Sequence, residues 1–343
     1  MTVLPENAAP LIVPRHQMSP ASGCLAKIDG LDLTRIVDEA FRAVPGAGVA
    51  PTANPEDCAV IGAVADPLLL TTDFGPLVGP DMLRAGRIAA THAMSDVYAM
   101  GGRPLVAVVM LIVDSGLPDA AASEVEAGLL AACQADGAAV VGGHTVEGQE
   151  AMAGLTVLGT FSGSPLTKRG ARPGDVIMLS KPLGTGLVVR AYQQGLVDSS
   201  DLDEALAIME LSNFEASRLA VAGAASAVTD VTGFGLLGHL AELLAGDRIG
   251  AILDLHCIPV LSAAADLPES FGRTRFIEGN MQYCLSKMPV TGISRRSLIR
   301  SLLDPQTSGG LLVLAPPTSL DDLRKAGFWA IGHVTDEHRL EIR

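Results

Sequence analysis

Basic residues are scarce in this chain of 343 residues: 24 Lys and Arg stand against 38 Asp and Glu, for a formal net charge of −14. General nucleic-acid binding needs basic surface to replace phosphate counterions, so that class is excluded. Nucleotides remain possible ligands if carboxylates hold divalent metal facing the phosphates. Long apolar runs are also lacking. The longest, Leu105 to Val113, has nine residues, and a spanning helix needs about 20. The N-terminus, with an acidic residue and prolines, reads as neither a signal nor a transit peptide. These features lead us to expect a cytoplasmic protein without a membrane partner. Cysteines number five (Cys24, Cys58, Cys133, Cys257 and Cys284), with no C-x-x-C pair. A disulfide framework and a structural zinc site are therefore not expected. The P-loop, the H-E-x-x-H helix and the G-x-S-x-G elbow are all absent.

What is present fits a globular α/β protein. Hydrophobic residues make up 48% and charged residues 18%, and the length suggests about two domains. Residues 1 to about 30 read as an irregular, mobile arm. Strand and helix signals then alternate. Strands are expected at Cys58–Val64, Leu68–Thr72, Leu105–Val113 and Leu155–Phe161, with helices at Asp81–Met100 and Pro118–Ala135. A short strand, Ala138–Val141, is expected to end in a Gly142-Gly-His-Thr145 turn. The Pro/Gly/basic stretch Ser162–Gly174 is the best domain boundary. Beyond it, strands are expected at Asp175–Ser180, Val228–Val231, Leu311–Ala315 and Ala330–Val334, and helices at Gly186–Gln194, Asp201–Ala222 and His239–Ala245. The echo between Thr72-Asp-Phe-Gly75 and Thr229–Gly235 fits two related halves.

Four features can carry chemistry. Asp57, Asp73, Asp96 and Asp230 stand at strand or helix ends. Gathered round one pocket they can hold Mg²⁺ and a nucleotide, although caps and turns are the commoner use of Asp at such places. Gly233-Phe-Gly-Leu-Leu-Gly238 matches a dinucleotide fingerprint, with Asp254 sixteen residues further on. Against that, it lies late in the chain and Asp230 precedes it. Lys27 follows Cys24 by three residues and can favour its thiolate or meet a phosphate, although a lone arm cysteine is usually incidental. The Gly142–Thr145 turn can cradle phosphate oxygens through its N–H groups, or be an ordinary turn. His239 and Glu242, one helical turn apart, are expected to make a local hydrogen bond rather than a metal site.

Taken in order, several segments resemble the selenophosphate synthetase (selenide, water dikinase) family of the aminoimidazole ribonucleotide synthetase-like superfamily. They are Ser22-Gly-Cys-Leu-Ala-Lys27, Glu56-Asp-Cys-Ala-Val60, Thr71-Thr-Asp-Phe74, Gly86–Asp96, Val97–Pro104, Gly142–Thr145, Thr229-Asp-Val-Thr-Gly-Phe-Gly-Leu-Leu-Gly-His239 and Asp304-Pro-Gln-Thr-Ser-Gly-Gly310. The resemblance implies a two-domain α/β (α+β) fold with mixed sheets, packed helices and a mobile arm. On that basis we expect the arm at residues 1–30, an ATP- and metal-binding domain at 31–164 and a C-terminal α/β domain at 165–343.

It also implies a homodimer that converts ATP, selenide and water to selenophosphate, AMP and phosphate with Mg²⁺. Cys24 and Lys27 match the family's catalytic residues, and Lys27 also its nucleotide site. Asp57, Asp96 and Asp230 match the metal ligands. Asn54, Pro55, Glu56, Asp73, Asp96, Gly143, His144 and Thr145 match the nucleotide site. The family's second arm cysteine is Ala26 here, its Arg-Asp-Asp is Pro55-Glu56-Asp57, and the arm histidine, His16, is displaced. Alternative readings are a sister ATP-dependent phosphotransferase, a nucleotide-gated selenium carrier without turnover, and a dinucleotide-binding protein.

Overall fold

The computed structural model describes residues 57–61, 67–114, 116–268, 270–271, 274–292 and 296–343. The N-terminal half is built on a five-stranded mixed sheet in the order β1 (Ala59–Ile61), β2 (Leu68–Pro76), β5 (Met152–Thr160), β3 (Arg103–Asp114), β4 (Ala139–Gly148). Among the described strands of this sheet, β3 and β4 pair in parallel and the others antiparallel. Helices α1 (Met82–Ala99) and α2 (Asp119–Ala135) cover one face. Asp81 caps α1 by accepting the Arg84 N–H, and the chain leaves the helix through Gly101 at φ +71°. Alternation sets the core side of the sheet: Ala107, Val109 and Leu111 on β3 and Ala153, Leu155 and Val157 on β5 pack under the helices.

The opposite face carries Leu70, Phe74 and Val108, which are exposed. Register places Leu158 beside Leu70, and Met110 and Ile112 on the same side as Val108. Among the described residues no helix lies over this apolar sheet surface.

The C-terminal half holds a seven-stranded sheet in the order β7 (Ala227–Asp230), β10 (Leu311–Ala315), β6 (Val176–Leu179), β11 (Trp329–Thr335), β8 (Gly250–Leu253), β12 (Leu340–Ile342), β9 (Val290–Thr291). Strand β10 is buried along its whole length, as its continuous apolar run requires. The main core of this half packs β6, β8 and β10 against α6 (Gly235–Ala245).

Helix α3 (Thr185–Gln193) is followed by two helices, α4 (Ser199–Glu210) and α5 (Phe214–Ala222), where a single one was expected over Asp201–Ala222. The break at Leu211–Asn213 is tertiary in origin. Asn213 Nδ2 donates to Ser95 Oγ on α1 and to the Gly309 carbonyl, and Ser212 Oγ donates to Asp136. Arg84 reinforces this junction through Glu210 and Asp203. Helix α1, from the first half, is thereby held by the second.

Candidate active site

Two short-range patterns converge where α1 passes the end of β7. On β2, Thr71 and Asp73 point to the helix-covered face; on α1, His92 and Asp96 are four residues apart and meet them. Thr71 Oγ1 donates to Asp96 Oδ2 at 2.5 Å, and His92 Nε2 lies 2.8 Å from Asp73 Oδ2. The second half delivers Asp230 from the end of β7, and Asp57 arrives just ahead of β1. Oxygens of Asp57, Asp96 and Asp230 all lie within 4.8 Å of one another.

This is a costly cluster for folding alone. Burial pushes the Asp96 carboxyl well above its ordinary range, and the charges of Asp230, Asp57 and Asp73 add to the effect. Burial also raises Asp57, although the Lys168 ammonium pulls it back, to about 6. Asp230 Oδ2 is buried with no hydrogen-bond partner. An orphaned carboxylate oxygen facing two further carboxylates is the donor set a hard divalent cation takes, so the residues present fit Mg²⁺.

Lys168 supplies the neutralising charge and escaped the sequence reading. Its Nζ lies 2.8 Å from Asp57 Oδ1 and 3.2 Å from Glu242 Oε2, with all three side chains at least nine-tenths buried. Burial would lower this lysine, but Asp57 and Glu242 outweigh it and raise it instead. Burial acts to raise Glu242, and Lys168, His239 and Tyr283 together hold it well below the carboxylate range. Tyr283 Oη donates to Glu242 at 2.7 Å, and His239 Nδ1 stands 3.3 Å away. His239 and Glu242 meet on one helix face as expected, but without the expected hydrogen bond: Nδ1 makes none, and Nε2 pairs with Thr232 Oγ1 at 3.2 Å. Thr229 Oγ1 completes the shell by donating to Asp57 Oδ1 at 3.1 Å. The only signal for Lys168 in the sequence was its place in the boundary stretch, which reads as solvated.

Cys58 adjoins Asp57, but burial and the surrounding carboxylates push its thiol far up, which disfavours a thiolate there. Cys24, Lys27, Asn54, Pro55, Glu56 and the arm lie outside the described residues.

Gly142–Thr145 is not a turn. The strand runs on through these residues as part of β4, because each pairs in parallel with Val108–Leu111 on β3. Successive side chains therefore alternate across the sheet. Two strands, β5 and β3, separate β4 from β2, placing Gly143, His144 and Thr145 about 14 Å from Asp73 at the ordinary strand spacing.

The dinucleotide reading of Gly233–Gly238 also fails. The segment does link a strand to a helix, with Gly235 at φ +66° where a Cβ would meet the Leu302 and Leu303 backbone. Among the described residues its strand, β7, pairs with β10 alone and antiparallel, so it opens no parallel βαβ unit there. Asp254 caps a short helical turn by accepting the His256 N–H.

Residues 55–163 match the family model of the AIR synthase related protein, N-terminal domain, and residues 172–343 that of its C-terminal domain. A selenide, water dikinase from Geobacter metallireducens is 36% identical over 323 residues, covering 91% of this chain and 93% of the relative. The chain belongs to the selenide, water dikinase family. A relative of the same name from Myxococcus xanthus is 32% identical over 305 residues, covering 88% of this chain and 86% of its own length. Among solved structures, AaThiL complexed with AMPPCP and TMP has a TM-score of 0.68 at 17% identity, covering 92% of this chain and 96% of that one. That likeness establishes the fold. Within this dikinase family framework, the Asp57–Asp96–Asp230 cluster joins the two matched domains: Asp57 and Asp96 come from the first and Asp230 from the second. Among the described residues no helix is long and apolar enough to cross a membrane.

Proposed function

We propose that this chain makes selenophosphate from ATP, selenide and water, releasing AMP and phosphate. The observation that carries the reading is the buried carboxylate cluster of Asp57, Asp96 and Asp230, balanced by Lys168, in a chain of this family. Phosphoryl transfer demands positioning and charge neutralisation more than covalent chemistry. Mg²⁺ held by Asp57, Asp96 and Asp230 supplies that neutralisation to the polyphosphate. Lys168 and Thr229 hold Asp57 in place, Thr71 orients Asp96, and Asp73 accepts from the nucleotide.

We assign Cys24 to hold or deliver selenium, and Lys27 to offset charge on the phosphates. Asn54, Pro55 and Glu56, with Gly143, His144 and Thr145, are assigned to the nucleotide. We divide the chain into 1–30, 31–164 and 165–343; the two separate sheets and the Pro/Gly stretch between them support the second boundary. A homodimer is supported by the apolar outer face of the first sheet. The cytoplasm is supported by Cys58, Cys133, Cys257 and Cys284 standing as free thiols, and cell fractionation reads it out.

The test is ³¹P NMR of the protein with Mg-ATP, with and without selenide, under anaerobic reducing conditions. A selenide-dependent selenophosphate signal with AMP and phosphate is expected, and loss of that signal in Cys24→Ser. ATP consumption without selenophosphate would instead support a sister phosphotransferase, and no turnover at all a carrier. Full activity in Cys24→Ser would remove Cys24 from the mechanism.

A further inference from the structure

His92 stands at the junction of the two halves and has a different neighbour on each side of its ring. In front, Nε2 lies 2.8 Å from Asp73 Oδ2 on β2. Behind, Nδ1 accepts the Ser308 N–H at 3.3 Å, across 216 positions of sequence. A backbone N–H only donates, so Nδ1 must present its lone pair. The neutral ring then carries its proton on Nε2, directed at the Asp73 carboxylate.

The group behind the ring is itself tightly held. Ser308 has φ +50°, a conformation a non-glycine residue keeps only where its surroundings impose it. Its carbonyl accepts from the buried Lys181 Nζ at 2.9 Å, and the next carbonyl, of Gly309, accepts from Asn213 Nδ2 at 2.8 Å. Two positions earlier, Gln306 Oε1 accepts from the Gly184 and Thr185 N–H groups. The segment Asp304–Gly310 is thus a fixed backstop, and it leads straight into β10, which pairs with β7 at Asp230.

Asp73, His92 and Thr307 are polar residues lining a cavity of about 120 Å³. Its other walls include Leu77, Ile88 and Met152. A carboxylate beside apolar walls depends strongly on the donors that orient it.

We propose that His92 is a positioning residue, which fixes the Asp73 carboxylate for the nucleotide and ties that orientation to the Asp304–Gly310 segment. This rests on the reading of Asp73 as a nucleotide contact. His92 acts through Asp73 and does not touch the reacting atoms.

The two ring nitrogens allow the two links to be cut separately. Asparagine places an amide near Nδ1: His92→Asn keeps an acceptor for Ser308 and loses the donor to Asp73. Glutamine reaches the Nε2 position: His92→Gln keeps the donor and loses the acceptor. Binding of AMPPNP with Mg²⁺ by calorimetry, the KM for ATP and the melting temperature are measured for both, with Asp73→Asn as reference.

In His92→Asn the nucleotide Kd and the KM for ATP are expected to rise about tenfold, the effect of losing one hydrogen bond to a charged group. Its kcat is expected to stay within about twofold, as for lost uniform binding, with the melting temperature near wild type. His92→Gln is expected to restore Kd and KM while melting lower. If Asp73→Asn weakens binding but His92→Asn does not, the proposal is overturned and the Asp73 reading stands. If Asp73→Asn leaves binding unchanged, the Asp73 reading falls and takes the proposal with it. Long-range ¹H–¹⁵N spectra of the wild-type chain test it without a variant: the Nε2–H tautomer at His92 is expected, and the Nδ1–H tautomer would overturn it.

Discussion

At the scale of single residues, Asp230 is placed at an evident cost to stability. Its Oδ2 is buried without a partner beside Asp57 and Asp96. In the metal-free protein, three carboxylates in so small a space repel, and Lys168 offsets only part of that charge. Asp230→Asn is therefore expected to act in opposite directions on two measurements. Divalent-cation affinity, read with Mn²⁺ by electron paramagnetic resonance, should fall by about tenfold or more as one charged ligand is lost. The metal-free melting temperature should rise by a few degrees, for about 1 kcal/mol of relieved repulsion. A fall in both would mean that Asp230 is a structural cap and that the cation is held elsewhere. The carboxylates themselves were legible in the sequence, because they belong to runs with local character. Lys168 was not: nothing within the chain from 162 to 174 signals that its ammonium turns inward to Asp57 and Glu242.

At the scale of elements, the contact between α1 and α2 depends on two residues without side chains. A Cβ on Gly86 would lie 2.0 Å from the Val125 carbonyl oxygen, and one on Gly128 would lie 2.1 Å from that of Leu83. Both obstacles are backbone and cannot swing away. In an unpacked helix Gly86→Ala would stabilise by about 1 kcal/mol. Here separation of the helices is expected to dominate, for a net loss of about 2 kcal/mol by urea denaturation. A gain in stability would show that the two helices can move apart freely. The helical periodicity of both segments was readable, and so were their ends. The split between α4 and α5 was not, since Leu211–Asn213 continues a helical pattern and is broken by long-range bonds to Asp136, Ser95, Gly309 and Lys181. The extent of β4 was hidden for a related reason: Gly142-Gly143 reads as a turn until β3 is alongside to pair with it.

At the scale of the whole molecule, the outer face of the first sheet stands out among the described residues. Leu70, Phe74, Val108 and Val146 are exposed there, on a chain whose net charge of −14 would otherwise keep copies apart. An apolar sheet face of this kind marks an interaction surface. If the occupant is a second copy, sedimentation velocity should find a dimer, and Val108→Lys should shift it toward monomer while leaving the melting cooperative. A wild-type monomer at micromolar concentration would refute the homodimer. The alternation that creates this face is visible within each strand, but which strands lie side by side is a property of the sheet order.

Local periodicity and runs of adjacent residues were enough to place most strands and helices, to divide the chain into two halves and to single out Asp57, Asp96 and Asp230 as candidates. These are set by short-range physics and by runs of adjacent residues. Tertiary structure alone decided that Asp57, Asp96 and Asp230 share one site, that Lys168 and Glu242 balance it, and that His92 faces Asp73 on one side and Ser308 on the other. Each of those contacts joins residues far apart in the chain, where no local pattern constrains the pairing and only the packing of two sheets around α1 brings the groups together.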